Sequence, residues 1–300
     1  MTFCQEKSYL FLEDTTVMKL HHNQKYDVDS DFFNRIDTEE KAYIFGFLYA
    51  DGCLSNNSII IRIAKTDIDI LYKIKSAIRY EGPLYFSPPK KYYDVRSKKT
   101  INTSAAAILQ FSHKPIAADL RKLGLTERKS KTLTFPKSVP ILLLRHFIRG
   151  YFDGDGGLSI DKKCLRLRCA IVGTRPFLEK MKNYLLKNEI SIGKINPHNG
   201  MYYLYIGKYW NLKKFYTLLY HESTIFLNRK KELFNYYFET LPEKRCRGSS
   251  QFKGVYYNNH DKNWTAIFKG KRVGSSHNEE TTYNLFKEYE HKWLFDRLII

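Results

Sequence analysis

Two aspartates offer the clearest chemistry in this sequence. Each ends an apolar segment that contains small residues and closes in Asp-Gly: Ala42-Tyr-Ile-Phe-Gly-Phe-Leu-Tyr-Ala-Asp-Gly52 and Arg145-His-Phe-Ile-Arg-Gly-Tyr-Phe-Asp-Gly-Asp-Gly156. Aligned on Asp-Gly, Gly46 falls on Gly150, Ala50 on Gly154 and Asp51 on Asp155, an offset of 155 − 51 = 104 residues. One Asp-Gly alone would be read as a tight turn. Two at the ends of matching segments form a pair. A carboxylate at the end of a helix meets the partial negative charge already there, and two carboxylates side by side repel. A divalent cation between them relieves both effects, and magnesium, which prefers oxygen ligands, suits the site. Two carboxylates holding metal against a phosphate can activate water for phosphodiester hydrolysis. Asp153 falls opposite Tyr49, so it is not shared by the two segments. Asp51 and Asp155 are therefore the candidate catalytic residues and metal ligands.

The elements around them repeat as well. The first segment reads as a helix capped by Asp37, with Glu39 and Glu40 in its first turn and Gly52 just beyond its end. It is apolar nearly all round and must be buried. Gly46 and Ala50 lie four apart, as do Gly150 and Gly154, and small residues at that spacing let two helix backbones approach closely. The two helices are expected to pack on each other across a pseudo-twofold axis. A strand pattern at Ile59–Lys65 leads to a helical run at Asp67–Ile78, and Leu165–Ile171 leads to Pro176–Leu186. Ile108–Ser112 followed by a helix through Leu120 is matched by Tyr203–Ile206 and Trp210–Leu219. Each half closes on a basic stretch, Glu127–Leu133 or Asn228–Leu233. The fold class is α+β, internally duplicated.

These two segments resemble the motif of LAGLIDADG homing endonucleases of the single-chain, two-motif type. The likeness spans roughly residues 35–240. It implies a saddle of two αββαββα halves whose concave sheets straddle the major groove of double-stranded DNA. It also implies that Asp51 and Asp155 bind Mg²⁺, with Mn²⁺ able to substitute. Cleavage of both strands across the minor groove of a long asymmetric site, leaving 3′ overhangs, follows from the same resemblance. It places Lys65, at the end of a strand, as a third catalytic group, whereas the second half has Gly173-Thr174 there. Lys129 and Lys230, in the paired basic stretches, become candidates for phosphate contact. A monomer is implied. An intein is not expected, because the chain starts Met-Thr, has about forty residues before the first motif and ends Leu-Ile-Ile rather than His-Asn. The alternative is a nucleic-acid-binding protein of the same fold that does not cleave, either an RNA maturase or a DNA-binding regulator. Retention of both acids argues against it.

Composition agrees with a polyanionic partner. Lys and Arg number 50 against 31 Asp and Glu, a formal charge of +19. In Leu165-Arg-Leu-Arg-Cys, leucines alternate with Arg166 and Arg168, giving a strand one basic face. Arg62 stands similarly among isoleucines, and such arginines can reach guanine edges or phosphates. The five cysteines are scattered with no Cys-x-x-Cys pair, which points to a reducing, intracellular (cytoplasmic, DNA-associated) location and no zinc site. Neither a signal peptide nor a membrane span is expected.

After a polar linker at 243–251 the pattern changes to three short strands and a helix capped by Asn278. Lys253-Gly-Val255, Trp264-Thr-Ala266, Gly270-Lys-Arg-Val273 and Glu279-Glu280 make residues 252–300 similar to the AP2 DNA-binding domain. That resemblance carries Lys253, Tyr256, Asn258, Lys269 and Arg272 to a DNA-facing sheet. The alternative is a small structural cap. The expected organisation is thus an N-terminal arm (1–36), two repeats (37–138 and 139–242), the linker and this C-terminal unit.

Overall fold

The computed structural model describes residues 26–94, 98–127, 129–161, 166–198, 200–240, 250–252 and 254–298. Most of the N-terminal arm, most of the linker, and Lys253, Cys164 and Leu165 lie outside the described residues.

The first half opens with helix α1 (Glu39–Ala50). Its cap is Thr38, whose hydroxyl accepts the Lys41 N–H at 3.3 Å. Asp37, expected in that role, instead pairs with Arg35 (2.6 Å) and Lys41 (2.9 Å). There follow β1 (Gly52–Ser55), β2 (Ser58–Ala64), α2 (Ile68–Ala77), β3 (Tyr85–Ser87), β4 (Lys90–Asp94), β5 (Lys99–Thr103), β6 (Ala106–Ser112) and α3 (Lys114–Lys122). The second half runs α4 (Leu144–Asp155), β7 (Gly156–Ile160), β8 (Leu167–Gly173), α5 (Arg175–Lys187), β9 (Ile195–His198), β10 (Met201–Ile206), α6 (Tyr209–Tyr220) and α7 (Asn228–Thr240).

Each half builds a four-stranded antiparallel sheet, in the orders β1-β2-β6-β3 and β7-β8-β10-β9, and the first half adds the two-stranded β4-β5. The registers correspond strand by strand. Gly52 faces Ile61 as Gly156 faces Ile171, and those isoleucines face Leu109 and Leu204. The offset between equivalent residues grows from 104 at the motif to 171 − 61 = 110 in the next strand, because the β7–β8 connection is longer. Strand alternation sets the layers: Ile59, Ile61 and Ile63 of β2, and Leu167, Cys169 and Ile171 of β8, are buried on the helix side. Apolar stripes on α2 (Ile70, Leu71, Ile74), α3 (Ile116, Ala117, Leu120), α5 (Phe177, Leu178, Met181, Leu185) and α6 (Leu212, Phe215, Leu219) complete a core that is continuous through both halves.

At its centre α1 packs on α4. A Cβ added to Gly46 would overlap the Phe147 carbonyl, and one added to Gly150 would overlap the Tyr43 carbonyl. The small-residue stripe thus puts backbone against backbone. Gly52 and Gly156 have a different reason from the one the sequence suggests. Neither takes the left-handed conformation usual after a helix; both begin strands, and a Cβ there would strike Leu48 or Phe152 one turn back.

The C-terminal unit is a sheet β11-β12-β13 (Val255–Asn258, Asn263–Phe268, Lys271–Ser276) covered on one face by α8 (Glu279–Leu298). Asn278 caps that helix, accepting the Thr281 N–H at 3.0 Å, and Phe286 and Val255 are buried between the layers. Among the described residues, no helix is long and apolar enough to cross a membrane.

Candidate active site

The paired helices deliver Asp51 and Asp155 to one end of their shared interface. Asp51 is the residue that terminates α1, and Asp155 is the last residue of α4. The two elements meet closely here: the position a Gly154 Cβ would occupy lies 3.5 Å from Asp51 Oδ2. Asp51 is half-buried and Asp155 exposed. The Tyr151 hydroxyl donates to the Val172 carbonyl at 2.8 Å. Burial, then the charges of Asp155 and Asp51, raise its pKa well above the usual phenol range.

Asp153 behaves differently. It is buried and accepts hydrogen bonds from Tyr43 Oη (2.8 Å), Tyr220 Oη (2.6 Å) and the Leu227 N–H (2.8 Å). Burial raises its pKa, opposed by Lys230 and those three donors. Its work is to fasten α4 to the chain that follows α6.

Lys129 and Lys230 require a correction. Candidates for phosphate contact from the sequence, they are 6% and 2% exposed. Lys129 Nζ donates to the carbonyls of Ala50 (3.0 Å) and Gly52. Lys230 Nζ donates to the carbonyls of Phe152, Asp153 (2.9 Å) and Gly156 (2.5 Å). Each ammonium therefore caps the C-terminal end of one motif helix, where carbonyls lack intrahelical partners and negative potential gathers. The pair is pseudosymmetric, since both lysines bind the carbonyl of the Asp-Gly glycine. This positive charge offsets the helix-end potential that makes Asp51 and Asp155 costly. Burial lowers the Lys230 pKa to about 8, with Asp153, Asp51 and Asp155 acting in the opposite direction and Arg229 reinforcing the shift.

Lys65 sits farther out. It follows β2, exposed, four residues beyond the Ile61 that faces Gly52, about 13 Å along the strand. Its ammonium lies 5.6 Å from the Phe86 ring centroid. Register supplies the twin that the sequence hides: with Ile61 equivalent to Ile171, Lys65 corresponds to Arg175 (65 + 110), not to Gly173-Thr174. Arg175 Nε is engaged with Glu179 at 2.9 Å.

The remaining basic candidates spread over the sheets. Arg62 lies on the β2 face turned away from the helices and donates to Ser87 Oγ at 3.3 Å. Arg166 and Arg168 are exposed at the start of β8, with Arg168 paired to Asp161. In the C-terminal sheet, Tyr256, Asn258 and Arg272 share the face opposite α8, through the pairs Tyr256↔Thr265, Asn258↔Asn263 and Ile267↔Arg272. Asn258 is held by Asp261, and Arg272 donates to Ser275 Oγ at 2.9 Å. Lys269 is turned the other way, its ammonium 3.4 Å from the centroid of Trp293 on α8.

One interior group escaped the sequence reading. Arg149, fully buried, bonds Glu39 Oε1 (2.6 Å), the carbonyls of Ile225 (2.9 Å) and Leu219 (2.8 Å), and His146 Nδ1 (2.9 Å). Its signal was a lone charge at an apolar motif position, opposite Phe45.

Among the described residues no group of three or more His, Cys, Asp or Glu side chains converges as a metal cage. The two carboxylates still fit magnesium, which keeps several waters and takes only one or two carboxylates beside phosphate oxygens.

The family model described as "LAGLIDADG-like domain" matches residues 143–220. A probable translation initiation factor IF-2 of Methanocaldococcus jannaschii is 25% identical over 152 residues, half of this chain but 12% of that relative's length. The structure of the homing endonuclease I-WcaI bound to its DNA recognition sequence covers 75% of this chain and 96% of its own, at 15% identity and TM-score 0.45. Full-length DUF199/WhiA from Thermatoga maritima covers 72% and 68%, at 14% and 0.42. The chain thus carries a LAGLIDADG-like domain at residues 143–220, and its first half repeats that order of helices and strands with the β4–β5 pair added.

Proposed function

We propose that the chain is a divalent-metal-dependent endonuclease of double-stranded DNA, with Asp51 and Asp155 as metal ligands. One observation carries this reading: two accessible carboxylates stand at the ends of two backbone-packed helices, each beside a buried lysine. The metal would supply a nucleophilic water and stabilise the leaving oxygen. The chain's own residues do the rest. Asp51 and Asp155 hold the cation, Lys129 and Lys230 fix the helix ends that aim them, and Arg62, Arg166, Arg168 and Lys65 contact DNA from the two sheets. The C-terminal sheet adds a further DNA contact through Tyr256, Asn258 and Arg272.

The test incubates the full chain with DNA carrying the flanks of its own gene, with and without Mg²⁺. Cleavage with Mg²⁺ alone is expected. Asp51→Asn or Asp155→Asn should lower it by more than about 100-fold, since direct ligands matter more than the groups behind them, while leaving DNA binding intact. Binding without any nick or cut in Mg²⁺ would favour the non-cleaving alternative.

A further inference from the structure

The hairpin joining β3 to β6 is longer than its counterpart. In the second half β9 and β10 close at His198↔Met201, and only residues 199–200 intervene. Because Tyr85↔Ile108 corresponds to Asn196↔Tyr203, the equivalent pair in the first half is Ser87↔Ala106. Residues 88–105 intervene there. Pro88 and Pro89 lack the N–H groups a ladder needs and interrupt it. Pairing then resumes in the same register, from Lys90↔Thr103 to Asp94↔Lys99. The β4–β5 ribbon prolongs the sheet by five residue pairs, about 17 Å at the usual strand rise.

Side chains alternate along it. The face bearing Tyr85 and Ser87, where Arg62 bonds Ser87, continues as Lys91 and Tyr93, with Asn102 and Thr100 opposite them. All four ribbon residues are exposed, Tyr93 at 61%. The other face is partly covered, with Tyr92, Asp94, Ile101 and Thr103 half-buried. The open face thus offers a cation, an aromatic ring and two hydrogen-bonding side chains, with no acid among them. Lys90, Lys98 and Lys99 add exposed charge beside it.

We propose that this ribbon is a DNA-binding arm belonging to the first half alone, lengthening the recognised duplex on that side. A two-stranded ribbon fits the major groove, and 17 Å spans about five base pairs at 3.4 Å each. Lys91 meets the phosphates, while Tyr93, Thr100 and Asn102 lie against sugars and base edges. The inference rests on duplex DNA being the ligand.

The experiment is hydroxyl-radical footprinting of the full chain on a duplex it selects from a randomised pool, repeated with the double variant Lys91→Glu, Lys99→Glu. The native chain should protect about five base pairs more on one side. The variant, with unchanged melting temperature, should lose that outer protection only, bind at least about tenfold more weakly, and show a salt slope smaller by about 0.9 per lost phosphate contact. Symmetric native protection, or an unchanged variant footprint, overturns the inference while the DNA reading stands. Failure to select or protect any duplex overturns both, as would preferential protection of RNA or a protein partner.

Discussion

At the scale of single residues, two neighbouring aspartates on α4 have opposite consequences. Asp153 is a buried acceptor of three hydrogen bonds, whereas Asp155 is exposed at the helix end. Asp153→Asn should cost about 1–3 kcal/mol, the usual penalty for disturbing a buried polar group. Asp155→Asn should leave stability unchanged or slightly raised, because it removes a charge that the helix end and Asp51 both oppose. Urea melts of the two variants, read beside cleavage assays, separate the roles. Lys230 makes a prediction about pH. With its folded pKa near 8, below the ordinary lysine value of about 10.4, the folded chain binds fewer protons between those limits, so this group makes stability rise with pH there. Cleavage should move the other way and fall through an apparent pKa near 8, as the ammonium behind Gly156 is lost. A melting temperature and a rate that both fell from pH 8 to 10 would contradict this account. The aspartate pair was legible in the sequence because duplication separates it from Asp153. The lysines' inward course was not: a long aliphatic stem can bury or expose its charge, and only the position of carbonyls far along the chain decides which.

At the scale of elements, the α1–α4 pair carries the site and has no slack. Gly46 and Gly150 each lie against a carbonyl of the facing backbone. Gly46→Ala or Gly150→Ala should force the helices apart at a cost of about 1–3 kcal/mol or more and lower cleavage further by parting the carboxylates. Gly193→Ala, with nothing within 4 Å of the added atom, is the control and should be near neutral in the same melts. Close approach could be foreseen from glycine spacing alone, since helical periodicity fixes which residues share a stripe. The equivalence of Lys65 and Arg175 could not, because the longer β7–β8 connection shifts the count by 110 − 104 = 6 residues and only strand register restores it. The β4–β5 ribbon was likewise hidden, as its prolines break the run that would mark continuous strands.

Across the whole molecule, one buried network ties the halves together and makes their union sensitive to acid. Glu39 of α1 accepts from Arg149 of α4 and from the Thr224 N–H at 2.8 Å, so three segments meet on one carboxylate. Burial raises the Glu39 pKa, but Thr224, Arg149 and His146 outweigh it and hold the group below the usual range. Burial beside Arg149 lowers the His146 pKa to about 4, with Glu39 opposing and Arg145 adding to the shift. Both groups bind fewer protons folded than unfolded. The His146 contribution is complete above the unfolded histidine pKa, about 6.5, and is lost as pH falls through 6.5 toward 4, while that of Glu39 persists to the ordinary carboxylate range and is lost only below it. Melting temperature should therefore decline steeply across that window. His146→Gln should flatten the decline, and Arg149→Met should lower stability by about 3 kcal/mol at pH 7, because it leaves the half-buried Glu39 carboxylate without its cation and the Ile225 and Leu219 carbonyls without a donor. Bound DNA should oppose the loss, since a ligand that binds only the folded chain stabilises it by mass action and the net charge of +19 grows as carboxylates protonate. Differential scanning calorimetry at pH 7, 6, 5 and 4.5, with and without duplex, checks the sign of each step. A native chain whose melting temperature stayed flat from pH 7 to 4.5 would show that the Glu39–Arg149–His146 network does not hold the two halves together.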